Sequence, residues 1–460
     1  MLKKFILLIL ISSGLGLFTN HIGLNSQQAL AISIFSASIL GTLFFWEFRL
    51  SFAFLGAAVL LATRTIDLEN LIRFSSLEII LFLIGMMVII GLLKDAGFFA
   101  WIVSLIIRTK NLTAKKFVFV ISIISMALGC AVDEVTSIIF IVAAVLEICD
   151  YFEVDPIPYI IISVLATNIG SAGTVLGNPI GILIATKSGL TFEDFILKAF
   201  PLAVLCLLIT IFIVLFWYKR SLQQLDRQIK NFGSNEMLIK LVSIPPDRQT
   251  KTALSIFALT LLSLAFSHRL DILWGLETNT ILLIVPLVAA AFIMIWKHTK
   301  AREFIEKDVE WWTLLFFLFL FAQAGTLKYT GATDVLARNL AGVAGNNLSV
   351  LISIVIWVSA IGSSILDNVV LVAAFIPVIQ SFQSLNLNLQ PLWWALLFGG
   401  CLGGNITLVG STANIVALGI LEKERNIRIS FFRWFWVGLT VGVITTGIVW
   451  IALVYLPFYR

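Results

Sequence analysis

Apolar segments, separated by short polar loops, follow one another along the whole sequence. A helix rises about 1.5 Å per residue, so segments of roughly 20 residues match the 30 Å hydrocarbon core of a bilayer. The residues do not alternate between apolar and polar, as the strands of a membrane β-barrel do. The pattern therefore predicts an all-α polytopic membrane protein with about eleven transmembrane helices, at 5–19, 28–46, 50–64, 77–93, 158–187, 199–218, 252–267, 277–296, 311–327, 391–420 and 434–456.

Two regions between these spans carry shorter apolar segments joined by an acidic turn. Their arms cover 117–132 and 134–149 in the first region and 348–366 and 368–382 in the second. An arm of about 16 residues reaches only about 24 Å, which is short of a full crossing. The first turn, AVDEVT, contains no Gly, Pro or Asn, the residues typical of turns that are exposed to water. We therefore expect two re-entrant hairpins with buried tips; the alternative is two short complete spans with Asp133 and Glu134 in water.

Two of the predicted spans are interrupted by polar residues near their centres. In 158–187 the interruption covers 168–179, and in 391–420 it covers 405–414. Pro179 lacks a backbone N–H, and glycines hold a helix poorly, so these centres are expected to be unwound. Unwound backbone at membrane depth is tolerated only where it faces protein or lines a cavity. The two broken helices therefore predict a polar site inside the protein.

The acidic turns and the polar breaks recur at a nearly constant spacing, which we call the repeat interval. The interval from Asp133 to Asp367 equals the interval from Gly91 to Gly325, where the motifs GLLKDAG and GTLKYTG begin. The breaks align at an interval shorter by a single position, through a shared Thr-x-x-Gly sequence that begins at Thr174 and at Thr407. Two independent features at one spacing indicate a duplicated half.

The distribution of basic residues predicts how the chain is oriented. Lys and Arg concentrate in four loops, at 108–116, 219–251, 297–310 and 421–433. The positive-inside rule places these loops and the N-terminus on the cytoplasmic side. Eleven crossings then leave the C-terminus outside, and the two hairpins enter from opposite sides. We therefore predict one integral membrane domain, 1–460, with inverted repeats at 20–218 and 252–456 joined by a cytoplasmic linker at 219–251.

Composition agrees with a membrane protein and disfavours several other classes. Of the 460 residues, 60% are hydrophobic and 12% charged, with a mean hydropathy of +1.03, whereas soluble domains carry about 25% charged residues. The net charge of +5 lies in short loops, so no nucleic-acid partner is expected. The four cysteines lie in apolar runs and the three histidines in or beside loops, which predicts no cofactor. The sequence contains no Ser–His pair and no H-E-x-x-H motif that would indicate an enzyme.

The first apolar segment could be either a signal peptide or a retained span. It lacks a clear small-x-small cleavage site, which favours a retained span. We expect a multi-pass protein of the inner (plasma) membrane of bacterial type, with its N-terminus in the cytoplasm.

Three carboxylates within apolar segments are the first candidates for chemistry. A charged side chain at the bilayer centre costs about 2.5–3.5 kcal/mol on insertion scales and is usually functional. Asp133, Glu134 and Asp367 occupy equivalent turns, where they would bind H⁺ or Na⁺, with Na⁺ placed at Asp133 and Asp367. Neutral ligands would come from the breaks: Asn168, Thr174, Asn178, Asn405, Thr407, Ser411, Thr412 and Asn414. For each of these taken alone, an interhelical hydrogen bond is the alternative.

The second repeat resembles a signature of the ion transporter superfamily, through ILDNVVLVAAFIPV at 365–378 and GGCLGGNITLVGSTANIVALGI at 399–420. NIGSAGTVLGNPIGILIATKSGLTFEDF at 168–195 resembles the other signature. The superfamily includes arsenite permeases, the pigmentation P protein, NhaD-type Na⁺/H⁺ antiporters, citrate transporters and divalent-anion:sodium symporters. The resemblance implies a transport domain that slides against a scaffold, often in a homodimer. It also implies ion and substrate sites at the tips and breaks, which adds Thr136, Gly177, Pro179, Asn368 and Gly410.

The chain departs from the dicarboxylate symporters of this superfamily, whose tips resemble Ser-Asn-Thr. Here the tips read Asp-Glu-Val and Asp-Asn-Val, without an Arg or Lys to hold a dianion. In the first break, Asn178 and Gly181 stand where relatives usually have Asp and Asn. We therefore predict an ion-coupled secondary active transporter of the arsenite permease or Na⁺/H⁺ antiporter type, whose partners are the lipid bilayer and a small inorganic ion or small anion. The alternatives are a citrate- or dicarboxylate-type anion symporter and, less favoured, an ion channel.

Overall fold

The computed structural model of the chain describes residues 2–19, 23–107, 112–231, 247–345, 347–385 and 387–459. Within these ranges the protein is built from helices and contains no β-strand, as the hydropathy pattern predicts. Part of the basic loop, 108–111, and part of the linker, 232–246, lie outside the described residues.

Helices fill most of the described residues in the first half of the chain. They are α1 (Leu2–Thr19), α2 (Ser26–Phe44), α3 (Arg49–Ala62), α4 (Leu68–Phe74), α5 (Leu77–Asp95), α6 (Phe98–Ile107), α7 (Ala114–Ala131), α8 (Glu134–Tyr151), α9 (Ile157–Ser171), α10 (Pro179–Ser188), α11 (Phe192–Trp217) and α12 (Lys219–Asn231). The arms α7 and α8 form the first hairpin, and α9 and α10 are the two parts of the first broken span.

The helices of the second half are α13 (Arg248–Ala265), α14 (Ser267–Trp274), α15 (Thr280–Trp296), α16 (Trp311–Tyr329), α17 (Ala332–Ala344), α18 (Leu348–Ile365), α19 (Asn368–Ser381), α20 (Gln390–Gly403), α21 (Thr412–Arg425) and α22 (Phe431–Tyr455). From α16 onward, the second half follows the order that the first half has from α5. The arms α18 and α19 form the second hairpin, and α20 and α21 form the second broken span.

Equivalent helices of the two halves have boundaries at the repeat interval found in the sequence. α16 begins and ends one repeat interval after α5, and α18 begins and ends one repeat interval after α7. α19 also begins one repeat interval after α8, whereas α21 follows α10 at the slightly shorter interval that aligns the breaks. The boundaries of these four helix pairs agree with a duplication, while the two repeats as units and their inversion across a membrane stay predictions.

Seven helices of the described part are long and apolar enough to cross a membrane, or eight if α13 and α14, which meet at a 64° bend, are counted as one span. The shorter apolar helices α9, α15 and α19 add to these. A total of eleven crossings would therefore require short or broken helices, and that number stays a prediction.

Glycines let the first arm of each hairpin pack closely against the adjacent broken span. A Cβ atom on Gly170 of α9 would lie 2.4 Å from the Met126 carbonyl oxygen of α7. At the equivalent place, a Cβ on Gly403 of α20 would lie 2.3 Å from the Ala360 oxygen of α18. Small residues allow this backbone approach, which is how helices associate in membranes. Each hairpin is therefore held against the broken helix of its own half.

Three helices were not expected from hydropathy, because they are short or polar. α4 lies between two spans and is capped by Asp67, whose Oδ1 accepts from Asn70 N at 2.8 Å. α12 continues from α11 into the predicted linker, and α14 (Ser267–Trp274) lies where the predicted spans 252–267 and 277–296 meet. Hydropathy did not predict α14, because a two-turn helix leaves little signal in a window tuned to spans.

Candidate functional site

The first acid of each tip caps the second arm of its hairpin. Asp133 Oδ1 accepts from the backbone nitrogens of Val135 and Thr136, at 2.9 and 2.8 Å. Asp367 Oδ1 accepts from Val369 N at 3.0 Å. A helix start leaves backbone N–H groups without partners, and an Asp side chain at this position satisfies them. Capping therefore explains why a short acidic residue can begin α8 and α19 inside the protein.

The breaks in the two spans overlap the predicted stretches 168–179 and 405–414 and are shorter than these. α9 ends at Ser171 and α10 begins at Pro179; α20 ends at Gly403 and α21 begins at Thr412. The intervening residues form turns and bends rather than helix, so unwinding was predicted correctly. The second parts begin with side-chain caps. Asn178 Oδ1 accepts from Gly181 N at 3.0 Å, and Ser411 Oγ accepts from Ala413 N at 3.2 Å.

Each break is also bonded to the hairpin of its own half. Thr174 Oγ1 donates to the Cys130 carbonyl at 2.5 Å, and Thr407 Oγ1 donates to the Ser364 carbonyl at 2.5 Å. These carbonyls belong to the last turns of α7 and α18, just before the tips. The two threonines therefore tie tip and break together, so that the two would move as one body.

Gly177 and Gly410 are packing residues at the same junctions. A Cβ atom on Gly177 would lie 2.5 Å from the Gly129 oxygen, and one on Gly410 would lie 2.8 Å from the Ser363 oxygen. A side chain at either place would collide with backbone, which cannot move aside as a flexible side chain can. Their predicted part in binding is thus indirect: they let each break approach its hairpin.

Three asparagines join the two halves at the centre of the protein. Asn168 Nδ2, from the end of α9, donates to Asn405 Oδ1 and to Asn414 Oδ1, each at 2.9 Å. Asn414 Nδ2 in turn donates to the carbonyls of Gly404 and Thr407, each at 2.8 Å. All three side chains are fully buried. A buried amide is stable only when paired, so these bonds fix the first break against the second.

Glu134 reaches this centre from the first hairpin tip. Its Oε1 accepts from Ser411 Oγ at 3.3 Å and from Asn368 Nδ2 at 3.4 Å, and both donors belong to the second half. Ser411 also lies 3.3 Å from Asn168 Oδ1, which links Glu134 to the asparagines. Glu134 is only 3% exposed, which contradicts the alternative in which the turn places this residue in water. The two tips meet inside the protein.

The second carboxylate oxygen of Glu134 has no hydrogen-bond partner although it is buried, and neither has the Asn405 Nδ2 amide nitrogen. We call Glu134, Asn168, Asn368, Asn405, Ser411 and Asn414 the central cluster. Carboxylate and amide oxygens of this kind are the ligands that Na⁺ and other hard cations take. Within the described part of the chain, no three His, Cys, Asp or Glu side chains come together as a transition-metal site would require.

The remaining predicted residues lie on the same tips and breaks as the cluster. Asp367 is 8% exposed and accepts from Thr412 Oγ1 at 2.7 Å, and its charge interacts with that of Glu134. Asp133 and Thr136 are half-buried at the first tip. Asn178 donates to Ser171 Oγ at 2.9 Å and to Cys401 Sγ at 3.2 Å, so it bridges the halves beside the cluster. Pro179 begins α10 without contributing a donor.

Sequence reasoning missed two charged residues that lie near the tips. Arg49, at the start of α3, is buried, and its charge interacts with Asp367 and with Glu310. Glu310, just before α16, interacts with Asp133 as well. Both stand at the ends of predicted spans, where charged residues are ordinary, so no local signal identified them. Neither tip itself carries an Arg or Lys, but the charge of Arg49 acts on Asp367 from outside the hairpins.

Asn168→Ala is expected to destabilise the protein, because it leaves two buried amide oxygens without their donor. An unsatisfied buried polar group costs about 1–3 kcal/mol. The thermal unfolding midpoint in detergent should therefore fall clearly below that of the wild type. Asn339→Ala, at an exposed position on α17, serves as the control and should change little. Equal midpoints for the two variants would contradict the bridging role of Asn168.

Comparison with known proteins identifies the family. The citrate transporter family model matches residues 42–399. An uncharacterized transporter of Mycobacterium tuberculosis is 29% identical over 373 residues, covering 80% of this chain and 83% of the relative. The human P protein is 27% identical over 467 residues, covering 86% of this chain and 55% of the P protein, so the chain spans about half of that relative.

Among solved structures, the YdaH transporter of Alcanivorax borkumensis has a similar fold. The TM-score is 0.54 at 12% sequence identity, and the match covers 84% of this chain and 86% of that one. Such low identity supports the fold alone. Because the family match extends over most of the sequence, the chain belongs to the citrate transporter family and is a multi-pass membrane transporter.

Proposed function

We propose that this protein is a cation-coupled secondary transporter in which Glu134 binds the coupling ion, H⁺ or Na⁺. The observation that supports this is the buried Oε2 of Glu134, which has no hydrogen-bond partner. The other side chains of the central cluster are neutral and come from both halves. An uncompensated charge is too costly to keep in such a place, so a carboxylate there must take a proton or a cation. No residue of the central cluster supplies a positive charge, so a bound ion would supply it.

The arrangement of the cluster suits alternating access. Its oxygens come from both halves, and each half contributes one hairpin tip and one break. If the halves are inverted copies, movement of the tied tips and breaks would open the cluster to one side of the membrane and then to the other. We propose the inner membrane and a cytoplasmic N-terminus for this cycle, and a homodimer as the working form.

For the cargo, we first propose exchange of inorganic cations or export of a weakly charged solute, as in an arsenite permease or a Na⁺/H⁺ antiporter. Both tips carry acids, and the tips themselves carry no cation. If two different cations compete for the same carboxylate, and only the occupied transporter changes its orientation, the protein exchanges one cation for the other across the membrane. Glu134 and Asp367 interact electrostatically, so occupancy of one would affect the other.

A second candidate, anion symport, is favoured by a basic cavity away from the tips. This cavity of about 200 Å³ is lined by Arg73, Lys187 and Lys328. Lys187 pairs with Glu78 at 2.9 Å, whereas the Lys328 amine donates to the amide oxygen of Gln380 at 2.8 Å. Among the described residues, no ion pair includes Lys328 or Arg73, so the cavity keeps a positive charge that would attract anions.

Flux measurements in proteoliposomes test these proposals directly. Purified protein is reconstituted with a pH-sensitive dye inside, and Na⁺, arsenite or citrate is added outside. A Na⁺-driven change of internal pH supports antiport, and citrate uptake that requires a cation gradient supports symport. Flux that neither saturates nor depends on a second solute would indicate a channel and contradict the proposal.

Asp367→Asn is expected to lower coupled transport at least about tenfold, as the loss of a charge-assisted contact of about 1.5 kcal/mol or more predicts. Asn can still accept from Val369 N, so the cap and the fold should persist. Flux in proteoliposomes gives the effect, and elution of the detergent-solubilised protein as a single species shows that it is folded. Wild-type coupling in the variant would remove Asp367 from the ion pathway.

A further inference from the structure

A buried arginine stands beside the second hairpin tip without a direct carboxylate partner. Arg49 is 9% exposed, and its guanidinium lies over the rings of Trp46 and Phe316, with its carbon 4.2 and 5.6 Å from their centres. Its Nη2 donates to Thr313 Oγ1 at 3.1 Å. Trp46 precedes α3, and Thr313 and Phe316 belong to α16. The guanidinium is thus fixed to the α3–α16 pair and not to the hairpin.

The donors of Arg49 are incompletely used. Its Nε is buried without a hydrogen-bond partner, and within the described ranges it takes part in no ion pair. A buried guanidinium needs compensating negative charge, and the charges that act on it are those of Asp367 and Glu310. Arg49 therefore balances the second tip from a distance, through an electrostatic interaction and not through a formed salt bridge.

A cavity lies where the second tip faces the first helices of the chain. It has a volume of about 240 Å³ and is lined by Trp46 and by Thr42 of α2 on one side and by Ile365, Asp367 and Val370 of the second hairpin on the other. The ring that carries the Arg49 guanidinium thus borders the same space as the Asp367 carboxylate. The cavity thus separates the second tip from Thr42 and Trp46.

The acids near Arg49 form a connected group. Asp367 interacts with Glu134, Glu134 with Asp133, and Asp133 with Glu310, which also interacts with Arg49. Within the described residues, the positive charge that acts on this group of acids is that of Arg49. A cation bound at Asp367 would therefore weaken the attraction between that carboxylate and Arg49, because it would neutralise the negative charge on which Arg49 acts.

We propose that Arg49 is a positioning residue that competes with the coupling cation for Asp367. While the site is empty, Arg49 holds the second hairpin against α3 and α16; a cation bound at Asp367 releases it. This inference rests on the proposed function and adds the link between ion binding and hairpin movement. Arg49 would thereby prevent the empty, charged transporter from changing its orientation, which is the condition for tight coupling.

Labelling of a thiol beside the tip tests the link. The four native cysteines are buried, so they should be silent, whereas Ile365 at the end of α18 is 52% exposed and borders the cavity. In the Ile365→Cys background, maleimide labelling is followed across a Na⁺ titration and a pH titration. We expect Na⁺ or acid to accelerate labelling. Arg49→Gln should label rapidly without the ion, and its apparent cation affinity should rise about five- to tenfold, a typical coupling between linked sites.

Companion variants separate charge from structure. Arg49→Lys keeps the charge and should retain the ion dependence, while Arg338→Gln, at an exposed position on α17, is the arginine control and should match the wild type. Asp367→Asn should label as fast as Arg49→Gln, and the double variant should label no faster than either. If Arg49→Gln keeps the ion dependence of the wild type, or if Arg49→Lys behaves as Arg49→Gln, the inference is wrong.

Failure of the proposed function gives a different result from failure of this inference. A wild type that transports nothing in either gradient contradicts coupled transport. The interaction between Arg49 and Asp367 is still tested in that case, because the labelling rates of the two single variants and the double variant are compared without any ion. Non-additive rates support the interaction. Additive rates in a protein that does transport would instead overturn the pairing alone.

Discussion

Glu134→Gln is expected to abolish cation-coupled transport while the protein still folds. Gln keeps the length of the side chain and one oxygen that accepts from Ser411 and Asn368, but it carries no charge and takes up no proton at neutral pH. Loss of a charge-assisted contact of about 1.5–3 kcal/mol lowers ion affinity by about 10- to 100-fold. Flux in proteoliposomes and the thermal shift caused by Na⁺ both measure this loss.

A stability measurement without ions distinguishes this variant from a merely damaged protein. The wild type keeps a buried carboxylate oxygen without a partner, and removing such a charge is neutral or stabilising. We therefore expect the ion-free variant to unfold at the same temperature as the wild type or higher. Glu147→Gln, an exposed position on the same helix, is the control and should keep wild-type transport. Coupled flux at wild-type ion affinity in Glu134→Gln would exclude the proposed role.

Gly403→Ala is expected to cause the largest loss of stability among small substitutions in the core. The added methyl group would lie 2.3 Å from the Ala360 oxygen and 2.5 Å from its Cα, so α20 and α18 would have to separate. Overpacking typically costs about 1–3 kcal/mol, and a collision with backbone belongs at the upper end. The unfolding midpoint in detergent and the yield of monodisperse protein should both fall, as they should for Gly170→Ala in the first half.

A glycine with free space provides the matched control. Gly447 in α22 has no atom within 4 Å of an added Cβ. Ala favours a helix over Gly by about 1 kcal/mol, so Gly447→Ala should be neutral or slightly stabilising. If Gly403→Ala proved as stable as Gly447→Ala, the close packing between hairpin and broken span would not be needed for the fold.

Much of the fold follows from features that a sequence displays directly. Span length, Gly and Pro inside apolar runs, and the constant repeat interval predicted the helix order and the breaks, and α5 and α16 match the predicted spans closely. The first hairpin arms, α7 and α18, have 18 residues each and are long enough to cross a membrane, so re-entry of the hairpins stays a prediction. Span length and the Gly and Pro positions are local features, and the repeat interval is a comparison of the sequence with itself, so all of them can be read without a structure. The short helices α4 and α14 escaped because neither is long enough to produce a periodic signal.

The site was harder to predict because side-chain direction depends on packing. Asp133 and Glu134 are neighbours in sequence, yet Asp133 turns back to cap α8 and Glu134 extends to the central cluster. A capping pattern, Asp followed three residues later by a polar residue, was present and could have assigned Asp133 to the helix end. Arg49 could not have been found in this way, since it meets Asp367 only through the tertiary fold.

The contact between Glu134 and Asn368 has a consequence for how the two copies diverged. The residues stand at equivalent positions of the two halves, yet one is an acid and the other carries a shorter amide side chain. Ancestral identical halves with an acid at both positions would have set two carboxylates face to face, and one would have stayed protonated. An amide at one of the two positions leaves the carboxylate at the other without that rival. A chimera joining two first halves should therefore keep one proton on its paired carboxylates over a wide range of pH.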